Sequence, residues 1–124
     1  MARVIHFDIT VDDPERAQAF YRDVFGWSFQ KWDGPMEYWM VTTGPDAETG
    51  INGGMSPRSE HSGPLMNTIQ VDDLDGAIEA VRSHGGTITM ERSAIPGVGW
   101  FAAMRDPEGN DFGMMQPDDS AGSS

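Results

Sequence analysis

The feature that most constrains this chain is an internal repeat. Val11-Asp12-Asp13 returns as Val71-Asp72-Asp73, and at the same offset Ala17 matches Ala77, Arg22 matches Arg82 and Gly26 matches Gly86. Each copy has one order of elements: strand, helix, strand, strand, strand. In the first copy, residues 4–11 alternate as a strand, with His6, Asp8 and Thr10 on one face and Ile5, Phe7, Ile9 and Val11 on the other. Asp13-Pro14 opens a helix whose apolar positions Ala17, Phe20, Tyr21, Val24 and Phe25 recur at helical spacing, and Gly26 stops it. Strands follow at 28–32, 38–43 and 51–55, the last broken by Gly53-Gly54. In the second copy, residues 65–71 form the strand. Asp73 caps a helix carrying Leu74, Ala77, Ile78 and Val81, which Gly85-Gly86 ends, and strands follow at 87–91, 99–104 and 111–116. Neither copy buries its own sheet face alone, so two copies pairing around a shared core are expected.

The whole chain is 124 residues, enough for one domain with two small halves. The first module is expected at about 3–55, a polar linker at 56–64, the second module at about 65–117, and a fraying tail at 118–124. There is no cysteine, which excludes disulfides, thiolate metal sites and cysteine nucleophiles. Net charge is −12, with Lys31 the only lysine. A surface this acidic repels phosphate backbones and anionic lipid, so no nucleic-acid or membrane partner is expected. No apolar run approaches the roughly 20 residues of a membrane span. Residues 1–4 lead straight into strand-like sequence without a signal-peptide pattern, and a cytoplasmic location is the expectation.

Two stretches carry a family resemblance: the run HFDITVDD at 6–13 with AFYRDVFGW at 19–27, and the turn DPEGN at 106–110 before the final strand. With Val71-Asp72-Asp73-Leu74 and Gly85-Gly86, this pattern resembles the vicinal oxygen chelate superfamily, which includes glyoxalase I, extradiol dioxygenases and bleomycin-resistance proteins. The resemblance runs over about residues 3–117. It implies an α+β fold of two tandem βαβββ modules forming a curled eight-stranded mixed sheet, a glyoxalase-like cup around a small-molecule site. It also implies a homodimer.

Enzymes of that superfamily commonly hold a divalent metal through four side chains, one on the first and one on the last strand of each module. The cation polarises two adjacent substrate oxygens as a Lewis acid. Carried over by residue, the four positions are His6, about Gly53, Met66 and Gly113. Glycine has no side chain to coordinate, and a thioether is a poor ligand for a hard ion. No metal and no other cofactor is therefore expected, with a divalent metal kept as the alternative.

His6 reads either as a polar residue lining the sheet or as an orienting or acid–base group, since imidazole titrates near neutral pH. Asp8, two residues on and on the same face, is either a solvated strand residue or its partner. His6 and Asp8 are the candidate catalytic pair. Trp39, Gly53, Met66, Thr68, Trp100, Gly113 and Met115 are the candidate ligand-binding residues, with Met66 and Met115 lining the cup and Trp39 and Trp100 in its wall or rim, where they either stack on a ligand or pack the sheet or an interface. Gly53-Gly54 reads as a sheet-curling bulge or as room for a ligand. Such a lining suits a small, partly apolar organic molecule. A lyase, isomerase or dioxygenase using His6, with a metal or as an acid–base group, is the enzymatic alternative. An assembly module without a ligand is the third.

Overall fold

In a computed structural model, residues 2–59 and 63–122 are described. His61, with the middle of the expected linker, lies outside the described residues. The chain divides into two compact units, His6–Met66 and Asn67–Ser124 with Met1–Ile5. The described residues form eight strands of mixed direction and two helices, in the α+β class and with the two βαβββ modules that the repeat implies.

The N-terminal unit is built from β1 (Arg3–Val11, entering from the other unit), α1 (Pro14–Phe25), β2 (Ser28–Lys31), β3 (Trp39–Thr42) and β4 (Gly53–Pro57). Its strand order is β2-β3-β4-β1, with β4 parallel to β1 and the other neighbours antiparallel. The parallel pair requires a crossover, and α1, β2 and β3 supply it. Asp13 accepts a hydrogen bond from the Arg16 amide at 3.1 Å, Pro14 occupies the first helical turn, and Gly26 closes the helix at φ 76°. The core on the helix side is Val41 and Met55, both fully buried. Aromatic rings extend it: Tyr21 stacks on Trp27 at 4.9 Å, and Phe7 lies 5.7 Å from the same indole. The helical stripe turns inward only in part, since Phe20, Val24 and Phe25 are 55–61% exposed and no residue of α1 is buried.

The C-terminal unit contains most of β5 (Leu65–Gln70), then α2 (Leu74–Ser83), β6 (Thr87–Ile95), β7 (Gly99–Arg105) and β8 (Asp111–Pro117), in the order β5-β8-β7-β6. Here β5 and β8 are the parallel pair. Asp73 accepts from the Gly76 amide at 3.1 Å, repeating the Asp13 cap. Unlike α1, α2 buries Leu74 and Ile78 against Ala102 and Met114. β6 runs four residues past the strand expected at 87–91. Two register shifts against β7 lie along it, one between Ile88 and Met90 and one between Met90 and Ser93, the second spanning the polar pair Glu91-Arg92.

Asp106 organises the DPEGN turn. Its carboxylate accepts from the Asn110 amide (2.9 Å), the Asn110 side chain (2.9 Å) and the Glu108 amide (2.8 Å), and these bonds, Asn110's foremost, hold the carboxyl below its ordinary range.

In the tail, where fraying is expected, residues 118–122 make specific contacts. Asp118 accepts from Ser120 and from the Trp100 indole, its amide bonds the Val98 carbonyl, and Ala121 is buried, its carbonyl taking the Gly97 amide. The small residues Ala121 and Gly122 fit against Gly97 and Pro96, a close approach that composition alone does not disclose.

Candidate functional site

Strand alternation places His6 and Asp8 on one face of β1. The register pairs Asp8 with Gly54 on β4, and Gly54 with Met40 on β3, so these positions share that face. Tyr38 stands two residues before Met40, and its ring reaches across β4. A Cβ at Gly54 would overlap the Tyr38 hydroxyl. The phenol thus takes the space that a side chain at residue 54 would fill.

There it joins the predicted pair. The Tyr38 hydroxyl donates to Asp8 Oδ1 at 2.7 Å and lies 2.9 Å from His6 Nε2, while His6 Nε2 and Asp8 Oδ1 are 3.4 Å apart. His6 and Asp8 keep 33% and 22% of their side-chain surface exposed, so the cluster is only partly buried. Burial, then the charge of Asp8 and its hydrogen bond, push the Tyr38 hydroxyl far above the usual phenol range, so it stays protonated. The Trp32 ring meets Tyr38 edge-on at 6.1 Å, the Trp32 amide donates to the Tyr38 carbonyl at 2.8 Å, and a Cβ at Gly34 would collide with the Trp32 ring. The turn at Asp33-Gly34-Pro35 therefore positions the tyrosine.

In the C-terminal unit the matching positions are chemically different. Thr68 pairs with Gly113, Gln70 with Met115, Ala103 with Gly113 and Phe101 with Met115, so Thr68, Gly113, Met115 and Phe101 share a face. A Cβ at Gly113 would come within 2.7 Å of the Phe101 ring and 2.8 Å of the Thr68 hydroxyl. Thr68 is 3% exposed, and its Oγ1 is buried with no hydrogen-bond partner among the described residues. Met66, the last residue of the N-terminal unit, is half-buried and alternates with Thr68 along β5.

Three of the candidate ligand-binding residues sit on the helix-bearing faces. Gly53 pairs with Phe7, and a Cβ there would strike the Phe7 carbonyl and ring, so it belongs to the helix-bearing face. Trp39 pairs with Met55 and Lys31 and shares that face, with the Lys31 ammonium 5.7 Å from its ring. Trp100 packs against the α2 core, donates to Asp118 at 3.1 Å and lies under the Arg92 guanidinium at 4.3 Å. In each case a period of two makes a one-residue difference a change of face. Sequence reasoning missed Tyr38 and Phe101, and read Gly54 only as one of a glycine pair. The available signal was the glycine pair on β4, which marks a close approach without saying by what.

The four positions that the resemblance assigns to a cation are, with the register applied, His6, Gly54, Met66 and Gly113. Only His6 has a donor for a hard divalent ion, and at Gly54 and Gly113 an aromatic side chain from the next strand fills the missing volume. Among the described residues no group of three His, Cys, Asp or Glu side chains is placed to hold a metal. This donor set does not fit the cation.

Two βαβββ modules with a half-open polar cluster on the first strand define a glyoxalase-like protein. Residues 3–114 match the Glyoxalase/Bleomycin resistance protein/Dioxygenase superfamily, and the chain belongs to it. A glyoxylase-like domain-containing protein of Didymella fabae is 36% identical over 109 residues, covering 83% of this chain and 84% of that protein. Lactoylglutathione lyase GLX1 of Arabidopsis thaliana is 31% identical over 124 residues, covering 92% of this chain and 44% of that protein. The chain spans less than half the length of the first curated relatives it matches. Among solved structures, methylmalonyl-CoA epimerase of Mycobacterium tuberculosis shares the fold at a TM-score of 0.67 and 17% identity, covering 93% of this chain and 87% of that one. A hypothetical protein of Bacillus halodurans C-125 does so at 0.71 and 15%, covering 97% of each. No helix among the described residues is long and apolar enough to cross a membrane.

Proposed function

We propose that this superfamily member binds a small, partly apolar organic molecule without a divalent metal, and that His6 is its polar anchor. The observation that carries the reading is the His6–Tyr38–Asp8 cluster, partly exposed on a face that also holds Met40. An apolar surface with a few convergent polar groups is the usual composition of a small-molecule site. The absence of coordinating side chains at Gly54, Met66 and Gly113 supports the metal-free part.

Thermal unfolding with a panel of small phenols, ketones and heterocycles, in EDTA and in Mn²⁺, tests it. A ligand that binds only the folded state raises the midpoint with its concentration. At least one compound is expected to do so equally in both buffers, and less in His6→Ala. Stabilisation that requires Mn²⁺, or a panel without effect, defeats the reading.

A second reading, a proton-transferring enzyme, draws support from the hydrogen-bonded imidazole and from relatives named lyase and epimerase. It differs in one respect: His6→Ala would abolish turnover while ligand stabilisation persists.

A further inference from the structure

We propose that Tyr38 locks His6 in the tautomer protonated on Nε2, and that the Nδ1 lone pair left over selects small molecules carrying a hydroxyl or N–H donor. The second half rests on the binding reading above; the first does not.

The assignment follows from counting protons. A phenol has one, and at 2.7 Å the Tyr38 proton goes to Asp8. The phenol oxygen is then an acceptor toward His6, so the 2.9 Å contact requires a proton on Nε2. A neutral imidazole has a single N–H, which leaves Nδ1 unprotonated. No described residue bonds Nδ1, and a third of the His6 side chain is exposed. An incoming donor can therefore pair with Nδ1. An ether or ketone presents one lone pair to another and leaves the imidazole unsatisfied. Asp8 also reaches His6 through the phenol, so its negative charge favours a partial positive charge on the ring when Nδ1 takes a hydrogen bond.

Gly54 is a condition of the arrangement. The Tyr38 hydroxyl occupies the volume of a Cβ at residue 54, and any side chain there displaces it from both partners. The β4 position that the superfamily resemblance reserves for a ligand atom is a glycine here, and Tyr38, the residue before β3, fills its volume. That phenol also engages Nε2, one of the two ring nitrogens a cation could use. The same arrangement thus leaves no metal donor at residue 54 and fixes the imidazole for hydrogen bonding.

Long-range ¹H–¹⁵N correlation of the imidazoles of the full chain tests the lock. It is recorded at an alkaline pH where the histidine ring resonances no longer move with pH, so that tautomers and not protonation states are compared. His6 is expected to show a single tautomer, with Nδ1 at the shift of an unprotonated ring nitrogen. Tyr38→Phe keeps the ring against Trp32 and removes the hydroxyl, and the His6 pattern should move to a tautomer mixture. Gly54→Ala should do the same by expelling the phenol. If Gly54→Ala fails to fold, Tyr38→Phe alone decides. A wild-type His6 protonated on Nδ1, or a pattern that Tyr38→Phe leaves unchanged, overturns the lock.

The donor preference is read in the same spectra by titration with phenol and with anisole, which has the same ring but no donor. Phenol should shift the His6 Nδ1 resonance and anisole should not; equal responses, or no response to phenol, overturn the preference. Failure of the whole thermal panel would instead defeat the binding reading while leaving the lock in place.

Discussion

Asp8 and Thr68 occupy equivalent places in the two modules, each opposite a glycine on the parallel neighbouring strand: Gly54 for Asp8, Gly113 for Thr68. In both, an aromatic ring from the adjoining strand fills the missing volume, Tyr38 in one and Phe101 in the other. The backbone solution is the same and the chemistry is opposite. Tyr38 brings a hydroxyl that ties Asp8 to His6, whereas Phe101 brings no polar atom and the Thr68 hydroxyl is buried without a partner among the described residues. The helices differ in a parallel way, α2 burying Leu74 and Ile78 while α1 buries no residue. A duplicated unit can thus conserve its frame while one copy carries a polar cluster on its sheet and the other the better-packed core.

If the C-terminal unit is the packing half, truncation there should cost far more than in the first. Leu74→Ala, at a fully buried position, is expected to destabilise by about 2–5 kcal/mol. Val24→Ala on the exposed side of α1 should cost no more than about 0.5 kcal/mol. Urea denaturation of the two variants checks this, and comparable losses would erase the contrast.

The next effect has opposite signs at equivalent strand positions. Thr68→Val removes a buried, unpaired hydroxyl at nearly constant shape and should stabilise by about 1–3 kcal/mol. Asp8→Val strips the Tyr38 hydroxyl of its acceptor and should destabilise by about 1 kcal/mol, reduced by the partial exposure of the site. A Thr68→Val variant less stable than wild type would mean that the hydroxyl does have a partner.

The smallest effect is a slope in pH. The Tyr38 hydroxyl is raised above its ordinary value of 10.0 in the folded chain, so the folded state holds its proton where the unfolded state loses it. Its contribution is fully present below pH 10.0 and declines as pH rises beyond that value. Denaturation midpoints above pH 10.0 should therefore fall more gently in Tyr38→Phe than in wild type. Matching slopes would show that Tyr38 does not carry the effect.

Much of this architecture was legible because its signals are local. The caps Asp13 and Asp73, the stop at Gly26 and the turn at Asp106 act within a few residues of the chain, and each behaves as its sequence indicates. His6 and Asp8 were recognisable as a pair because strand alternation is itself local. The end of β6 was less legible, since its register shifts depend on β7.

The sequence by itself determined the repeat, the order of elements, the superfamily and the two residues of β1 that the cluster uses. Tertiary structure alone decided that Tyr38 completes the cluster, that Gly54 rather than Gly53 makes room for it, and that Trp39 and Trp100 face the helices. The reason is the twofold period of a strand. Which face a residue presents to its neighbours depends on inter-strand register, and a shift of one position, invisible in a single chain read end to end, exchanges the two faces.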